Sequence, residues 1–405
     1  MVVDGGQVDV EVMAAAVEDD REVLRSLPPA TMVWGYGSGV VPQARDLGED
    51  GDAAAPAQRL RDYILVVEDA REWHAENMRR HPTHYPWWMR SAGARAVRWV
   101  QRTGAAAYFV PLLPSKWASA TGGSSVTHAS IKYGVIEAAD LLEDLVTWRH
   151  FYIAGRLHKP AVRLPAIEST EATARAHAEA LWRAQRQHNL LNATRLALLA
   201  SVAEDAGASA VPLSALLERI AGLSYLSDIR FRLGLEQSDK VWRIVQPNFA
   251  RFAEIYREPI GTLAGQGLLQ VVPYASTRAT SRGEPTLADP DDLLDFSPLT
   301  APGDRGMAAL SKLVNPLLAL DPFQSVAERT AIVPTGPGGR LIPPDDPLTQ
   351  VRPALALACL TALRRRVMWR SIAQAGKGLA STGVGRSIAY LQRKWRSGRR
   401  TGGSG

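Results

Sequence analysis

Cysteine is almost absent: the 405 residues contain one, Cys359. A single thiol excludes an intramolecular disulfide and a cysteine-rich metal cluster, and it fits a reducing compartment. Long apolar runs are missing too. The longest near the end, PALALACLTAL, has 11 residues before Arg364, Arg365 and Arg366 interrupt it. That is too short to span a bilayer. Acid is missing from one region only. From Pro347 onward there are 12 Lys and Arg and no Asp or Glu, while the preceding chain keeps the other 35 basic residues against all 41 acidic ones. The net charge of +6 therefore belongs to the tail. A basic tail points to an anionic partner, either nucleic acid or an acidic membrane surface. The acidic start MVVDGGQVDVEV suits neither a secretory leader nor an Arg-rich transit peptide.

What remains is ordinary material for packed domains: 46% hydrophobic and 22% charged residues, enough chain for two or three domains. TMVW, YILVV, AAAYFVPL and SIKYGVI read as strands, with helical patterns between them, so residues 1–165 are expected to form an α/β domain. Residues 166–270 carry helical periodicity in AHAEALWRAQRQHNLLNATRLALLASVAEDAG, PLSALLERIAGLS and DKVWRIVQPNFARFAEIY, a pattern open to a winged-helix-like module. Residues 271–350, rich in Pro, Gly, Ser, Thr and Asp, are expected to be linker and irregular structure. Residues 351–400 form the basic region.

The chemistry gathers around WGYGSGVVPQ, where Tyr36, Gly37, Ser38 and Gly39 follow an apolar run. Glycines flanking a serine suit a phosphate cradle; they equally suit a strand ending in a tight turn. Asp62 stands at the mouth of the next apolar strand, either as a magnesium ligand beside such a cradle or as a solvated strand end. Asp69 begins Asp-Ala-Arg-Glu, a capping-box pattern, and is assigned to helix capping. His74, His81 and His84 lack the spacing of a zinc finger and are read as packed or hydrogen-bonded. Lys132, followed by Tyr133, interrupts an apolar strand, so its ammonium either reaches an anion or protects a sheet edge. Arg156, His158 and Lys159 suit a phosphate-rich ligand or a solvated basic turn.

These blocks, in order, are YGSGV (36–40), RDYIL (61–65), WHAENM (73–78), IKYGVI (131–136), YIAGRLHKP (152–160), SYLSDIRF (224–231) and SIAQAGKGLASTGVGRSIAYLQRK (371–394). Together they resemble the mitochondrial-type phosphatidate cytidylyltransferases, the mitochondrial translocator assembly and maintenance proteins. The resemblance implies a polymerase-β-type nucleotidyltransferase domain, a winged-helix-like domain and a membrane-contacting C-terminal region. It implies formation of CDP-diacylglycerol and pyrophosphate from CTP and phosphatidate with Mg²⁺, in cardiolipin and phosphatidylglycerol biosynthesis. On it, Asp62, Asp228 and Lys132 become catalytic candidates, the first two as metal ligands. Tyr36, Gly37, Ser38, Gly39 and Tyr133 become nucleotide-binding candidates. Arg156, His158, Lys159, Arg230, Lys377, Arg386, Arg393 and Lys394 become phosphate- or lipid-binding ones. Two departures stand out. The alternate-position carboxylate of general nucleotidyltransferases is missing after Asp62, and Ser227 occupies a position where the family's glycine is expected.

Val384, Ile388, Leu391 and Trp395 fall at helical spacing among basic residues, as in a helix lying on an acidic membrane; a core-packing helix has the same pattern. The expected setting is peripheral to a membrane, on the cytoplasmic face in a bacterium or the matrix face of the inner membrane in a mitochondrion. The rival reading is an RNA nucleotidyltransferase. The stretch PLSALLERIAGLS, which would be the recognition helix, offers one basic residue, Arg219, so no nucleic-acid partner is expected.

Overall fold

The structure is a computed structural model. It describes residues 20, 23–41, 60–110, 131–165, 168–204, 208–227, 239–273, 289–301, 303–329 and 348–382. Apolar, β-branched runs become the strands of a mixed sheet: β1 Met32–Tyr36, β2 Arg61–Val67, β3 Ala107–Val110, β4 Ile131–Glu137 and β5 Val162–Arg163. Their order is β3-β4-β2-β1-β5. β2 and β4 are parallel, and the other pairs are antiparallel. The short edge strand β5 carries no signal in the sequence.

Side chains alternate across a strand, so parity assigns each residue a face. Val33, Tyr63, Leu65, Tyr108, Tyr133 and Val135 pack on one side. There they meet α1 Ala70–Arg80 and α2 Trp87–Arg102 through Trp73 and Val97. Met32, Trp34, Ile64, Val66, Phe109 and Ile136 face the other side and join a cluster that continues to Val367. The core is thus continuous across residue 165.

Behind that second face lie α3 Ala138–Thr147, α4 Ala172–Ala184, α5 Leu191–Glu204, α6 Leu213–Leu223, α7 Lys240–Val245 and α8 Phe249–Gly265. A π-helical turn, Gln185–Leu190, joins α4 to α5, so the long pattern is one helical run with a bulge. α5 buries every residue from Asn192 to Val202, which makes it the hub of the helical body.

The expected irregular region, 271–350, is corrected by the structure. β8 Leu293–Asp295 pairs with β6 Ala210–Pro212 and β7 Gln270–Val272 in a small antiparallel sheet. α9 Ser297–Thr300, α10 Gly303–Leu318 and α11 Gln324–Arg329 follow. Composition misled here because Pro316 is tolerated inside α10, whose Leu310, Leu313, Val314 and Leu317 are all buried. The last described element, α12 Leu348–Thr382, packs on α5 with Leu355, Cys359, Leu363 and Val367 inward. Cys359 acts as a packed apolar residue; burial pushes its thiol up to about 12. No described helix is long and apolar enough to cross a membrane. The fold is α+β, mostly helical around one mixed sheet.

Candidate active site

β1 ends where β2 begins, because the two strands are antiparallel and Tyr36 pairs with Asp62. β4 lies parallel on the other side of β2, which sets Lys132 against Asp62. Three candidates separated by up to 96 positions in the chain thereby share one sheet end and one face. Lys132 Nζ is 3.0 Å from Asp62 Oδ1 and sits over the Phe109 ring, 4.9 Å from its centroid. β4 is an interior strand, so the edge-protection reading of Lys132 falls and the anion reading holds.

The glycine turn closes over the same carboxylate. Gly37 has φ +78°, and its carbonyl accepts from the amides of Val40 (3.0 Å) and Val41 (2.8 Å). A Cβ on Gly37 would lie 3.5 Å from Asp62 Oδ2. A Cβ on Gly39 would lie 2.1 Å from the Leu60 carbonyl oxygen, so that glycine is required by close backbone approach. Ser38 is exposed at the tip. Burial, reinforced by the Asp62 charge, pushes the Tyr36 phenol up to about 12.

The cations arrive from residues 148–160. Asp144 is buried and accepts from the amides of His150 (2.8 Å), Phe151 (2.7 Å) and Ala154 (3.2 Å). Asn189, in the π-helical turn, accepts from Trp148 Nε1 (2.8 Å), bonds His158 Nε2 (3.0 Å), and donates to the Ala154 carbonyl (3.0 Å) and Gln185 (2.8 Å). Pinned so, the loop turns Arg156 and Lys159 outward. The Arg156 guanidinium stacks 3.7 Å from the Tyr152 ring centroid, and Tyr152 meets Phe109 edge-on at 6.1 Å. Lys159 Nζ donates to Ser224 Oγ at 2.5 Å. A small cavity of about 20 Å³ is lined by Tyr152, Arg156, Ser224, Arg370 and Ser371. A larger one, about 410 Å³, lies by Leu24–Ala30 and Ser169–Glu171 and holds none of the candidates.

Three expectations are corrected. His158 is fully buried, its ring is committed to Asn189, and burial pulls it down to about 3, so it is a neutral structural group rather than a phosphate ligand. Tyr133 has the wrong parity. It points to the face opposite Asp62, where its hydroxyl bonds Asn77 and His84. Lys377 is buried, with its ammonium donating to the carbonyls of Gln101 (3.0 Å), Thr103 (2.6 Å) and Ala107 (2.9 Å), so it fastens α12 rather than binding lipid. Asp228, Arg230, Arg386, Arg393 and Lys394, and the spaced residues Val384 to Trp395, lie outside the described residues.

The other histidines behave as expected. His74 bonds Tyr85 (2.7 Å) and Gln101 (2.9 Å), and His81 the Ser26 carbonyl (3.0 Å). Asp69 accepts from the Glu72 amide at 3.0 Å as the cap of α1. Sequence reading missed Asp144, Asn189, Tyr152, Ser224 and Arg370 as supports or lining. Tyr152 and Ser224 lie in the matching blocks YIAGRLHKP and SYLSDIRF, whereas Asp144, Asn189 and Arg370 carried no signal among the blocks quoted above.

The donor set accommodates magnesium. Asp62 Oδ1 faces the Lys132 ammonium at 3.0 Å, and Oδ2 lies toward the Gly37 turn. One carboxylate completed by substrate phosphates and water is a common magnesium arrangement. Among the described residues no group of three His, Cys, Asp or Glu is arranged to hold a metal. Asp62 is therefore the described residue that fits.

With this geometry in hand, likeness to known proteins is decisive. Residues 21–287 match the family described as "Phosphatidate cytidylyltransferase, mitochondrial". The chain belongs to the mitochondrial phosphatidate cytidylyltransferase family. A Drosophila melanogaster protein of that name is 34% identical over 248 residues, covering 60% of this chain and 65% of its own. The Saccharomyces cerevisiae protein is 33% identical over 235 residues, 56% and 51%. The Xenopus laevis protein is 29% identical over 379 residues, 92% of each. The chain spans less than two thirds of the length of the fly and yeast phosphatidate cytidylyltransferases it matches. The family match takes in Tyr36, Asp62, Lys132, Arg156 and Lys159 and stops before α12.

Proposed function

We propose that this chain joins CTP to phosphatidate, giving CDP-diacylglycerol and pyrophosphate. One observation carries the reading: the Gly37–Gly39 turn, Asp62 and Lys132 converge on one sheet end, with a Cβ on Gly37 reaching within 3.5 Å of the carboxylate. The family's name supplies the substrates. A nucleotidyltransferase sheet followed by a winged-helix-like body, with β6, β7 and β8 as the small sheet, is the domain reading that goes with it.

The phosphatidate phosphate oxygen forms a bond to the CTP α-phosphorus. The bond from that phosphorus to the bridging oxygen breaks, and pyrophosphate leaves with the electron pair. The attacking oxygen is already ionised, so no general base is required, in keeping with histidines committed to structural bonds. The backbone of the Gly37–Gly39 turn and the Ser38 hydroxyl hold the leaving phosphates. Lys132, Arg156 and Lys159 neutralise charge and align the two anionic reactants, and Tyr36 lines the nucleotide side. Positioning and electrostatics carry most of the rate in such transfers. Magnesium held by Asp62, with Asp228 as the candidate second ligand, would supply further charge neutralisation on the triphosphate. The setting is a mitochondrial or bacterial membrane surface, on its matrix or cytoplasmic side.

Steady-state turnover of labelled CTP with phosphatidate tests this. Asp62→Ala is expected to lower kcat at least about 100-fold, the scale of losing one preorganised charge. Near wild-type turnover would exclude the role. Transfer of CMP to RNA in place of lipid would turn the reading to the rival class.

A further inference from the structure

Along α12 the inner face is buried, but Trp369 is 65% and Ile372 39% exposed, with Arg365 exposed one turn earlier. Positions 365, 369 and 372 follow helical spacings of four and three, so they form one stripe. Between them, Arg370 and Ser371 turn to the cavity shared with Tyr152, Arg156 and Ser224. α12 is fastened at this point. Lys377 bonds three carbonyls at the end of α2 and the start of β3, and Arg370 Nη1 donates to the Gly104 carbonyl at 2.7 Å. The last turns of α2 are thus brought against α12. There Trp99 is 71% exposed and Arg95 is exposed at the same helical spacing. Neither α2 nor α12 contains an Asp or Glu. On neighbouring elements Glu137 and Asp140 pair with Arg98 and Arg102, Glu143 pairs with Arg149, and Asp144 and Asp321 act on Arg366 and Arg370 of α12.

Large exposed tryptophans beside arginines match the chemistry of a membrane–water interface, where the indole is half desolvated and the guanidinium meets lipid phosphate. A second copy of this chain is a poorer occupant, because it would set two basic, acid-free surfaces against each other.

We propose that Trp369, Ile372 and Trp99, with Arg365 and Arg95, form a surface of the folded body that rests on an anionic bilayer. The 369–372 turn then leads a lipid headgroup from that bilayer to the Arg156 and Arg370 side of the site. The identity of the lipid rests on the cytidylyltransferase reading; the bilayer contact does not.

The experiment uses the full chain, with phosphatidylcholine vesicles made with and without phosphatidylglycerol, and two substrates: vesicle-embedded phosphatidate and a water-soluble short-chain phosphatidate. The double variant W369A/I372A is expected to lose at least tenfold in binding to the anionic vesicles. Its KM for embedded phosphatidate should rise by a similar factor, with kinetics on the soluble substrate unchanged. W369F should restore most of the binding, and W99A should show a smaller loss. The surface is overturned by unchanged vesicle binding, by equal losses on both substrates, or by loss of a concentration-dependent dimer without change in vesicle binding. If wild type turns over neither form of phosphatidate yet its vesicle binding still needs Trp369 and Ile372, the bilayer surface stands and the cytidylyltransferase reading falls.

Discussion

Gly37 and Gly39 are two positions apart, yet a methyl group would meet different obstacles. At Gly39 it collides with the backbone of Leu60 at 2.1 Å, which has no freedom to withdraw. At Gly37 the nearest atom, Asp62 Oδ2, is at an ordinary 3.5 Å and the obstacle is φ +78°. Gly37→Ala is therefore expected to cost about 1–2 kcal/mol, the strain of a left-handed residue. Gly39→Ala should cost about 3 kcal/mol, the upper range of overpacking, and abolish CTP turnover. Urea denaturation of both variants checks the order. Ser227 gives the converse case: it holds φ +58° without being glycine. Ser227→Gly is expected to stabilise the protein by about 0.5–1 kcal/mol; a loss of stability would mean the serine side chain has an unseen use. Lys132→Met should lower kcat by about 100-fold or more while Lys132→Arg retains part of it, because charge rather than shape is needed opposite Asp62.

At the scale of elements, the loop 148–160 has no regular secondary structure of its own apart from single turns, so its shape depends on Asp144 and Asn189. Each buried hydrogen bond to a carboxylate is worth about 1.5–3 kcal/mol. Asp144→Asn keeps the shape but weakens the three amide bonds. It is expected to destabilise the protein by about 2 kcal/mol or more and to raise KM for phosphatidate by displacing Arg156 and Lys159. Thermal melts and initial rates on the same samples separate the two effects; unchanged KM would detach the loop from the substrate. The π-helical turn is the other half of this device. Its extra residue rotates Asn189 into the core, where its side chain bonds Trp148, His158, Gln185 and the Ala154 carbonyl.

For the molecule as a whole, burial keeps three histidines neutral among the described residues. His74 and His150 are pulled down to about 4, and His158 to about 3, from 6.5. Their folded values lie below the unfolded one. The stabilisation is complete above pH 6.5 and is lost as pH falls toward 4, because the unfolded chain binds protons that the folded chain refuses. The urea midpoint should fall steadily between pH 6.5 and 5, and the His74 and His158 ring signals should not titrate by NMR across that range. A flat midpoint would show that these rings are protonated in place. Since the same His158 ring bonds Asn189, acid should also loosen the loop that carries Arg156.

Strands β1 to β4, helices α1, α2 and α3, the cap at Asp69 and the weight of the glycine turn were legible in the chain, because they rest on local rules: alternation, helical spacing, side-chain capping and left-handed φ. Lys132 was legible only as a problem, a charge in an apolar strand, until the parallel pairing of β2 and β4 supplied its anion. His158, Tyr133 and Lys377 were misassigned for one reason. Residue type records what a side chain can do, whereas parity and packing decide which way it points. The helices within 271–350 were hidden because proline and glycine content speaks against a helix locally, while burial against α5 and α12 outweighs that cost. By itself the sequence determined most of the strands and helices up to residue 270 and the set of candidate groups. Tertiary structure alone decided which of those groups meet, because strand order and long-range packing depend on contacts between residues far apart in the chain, which no local pattern encodes.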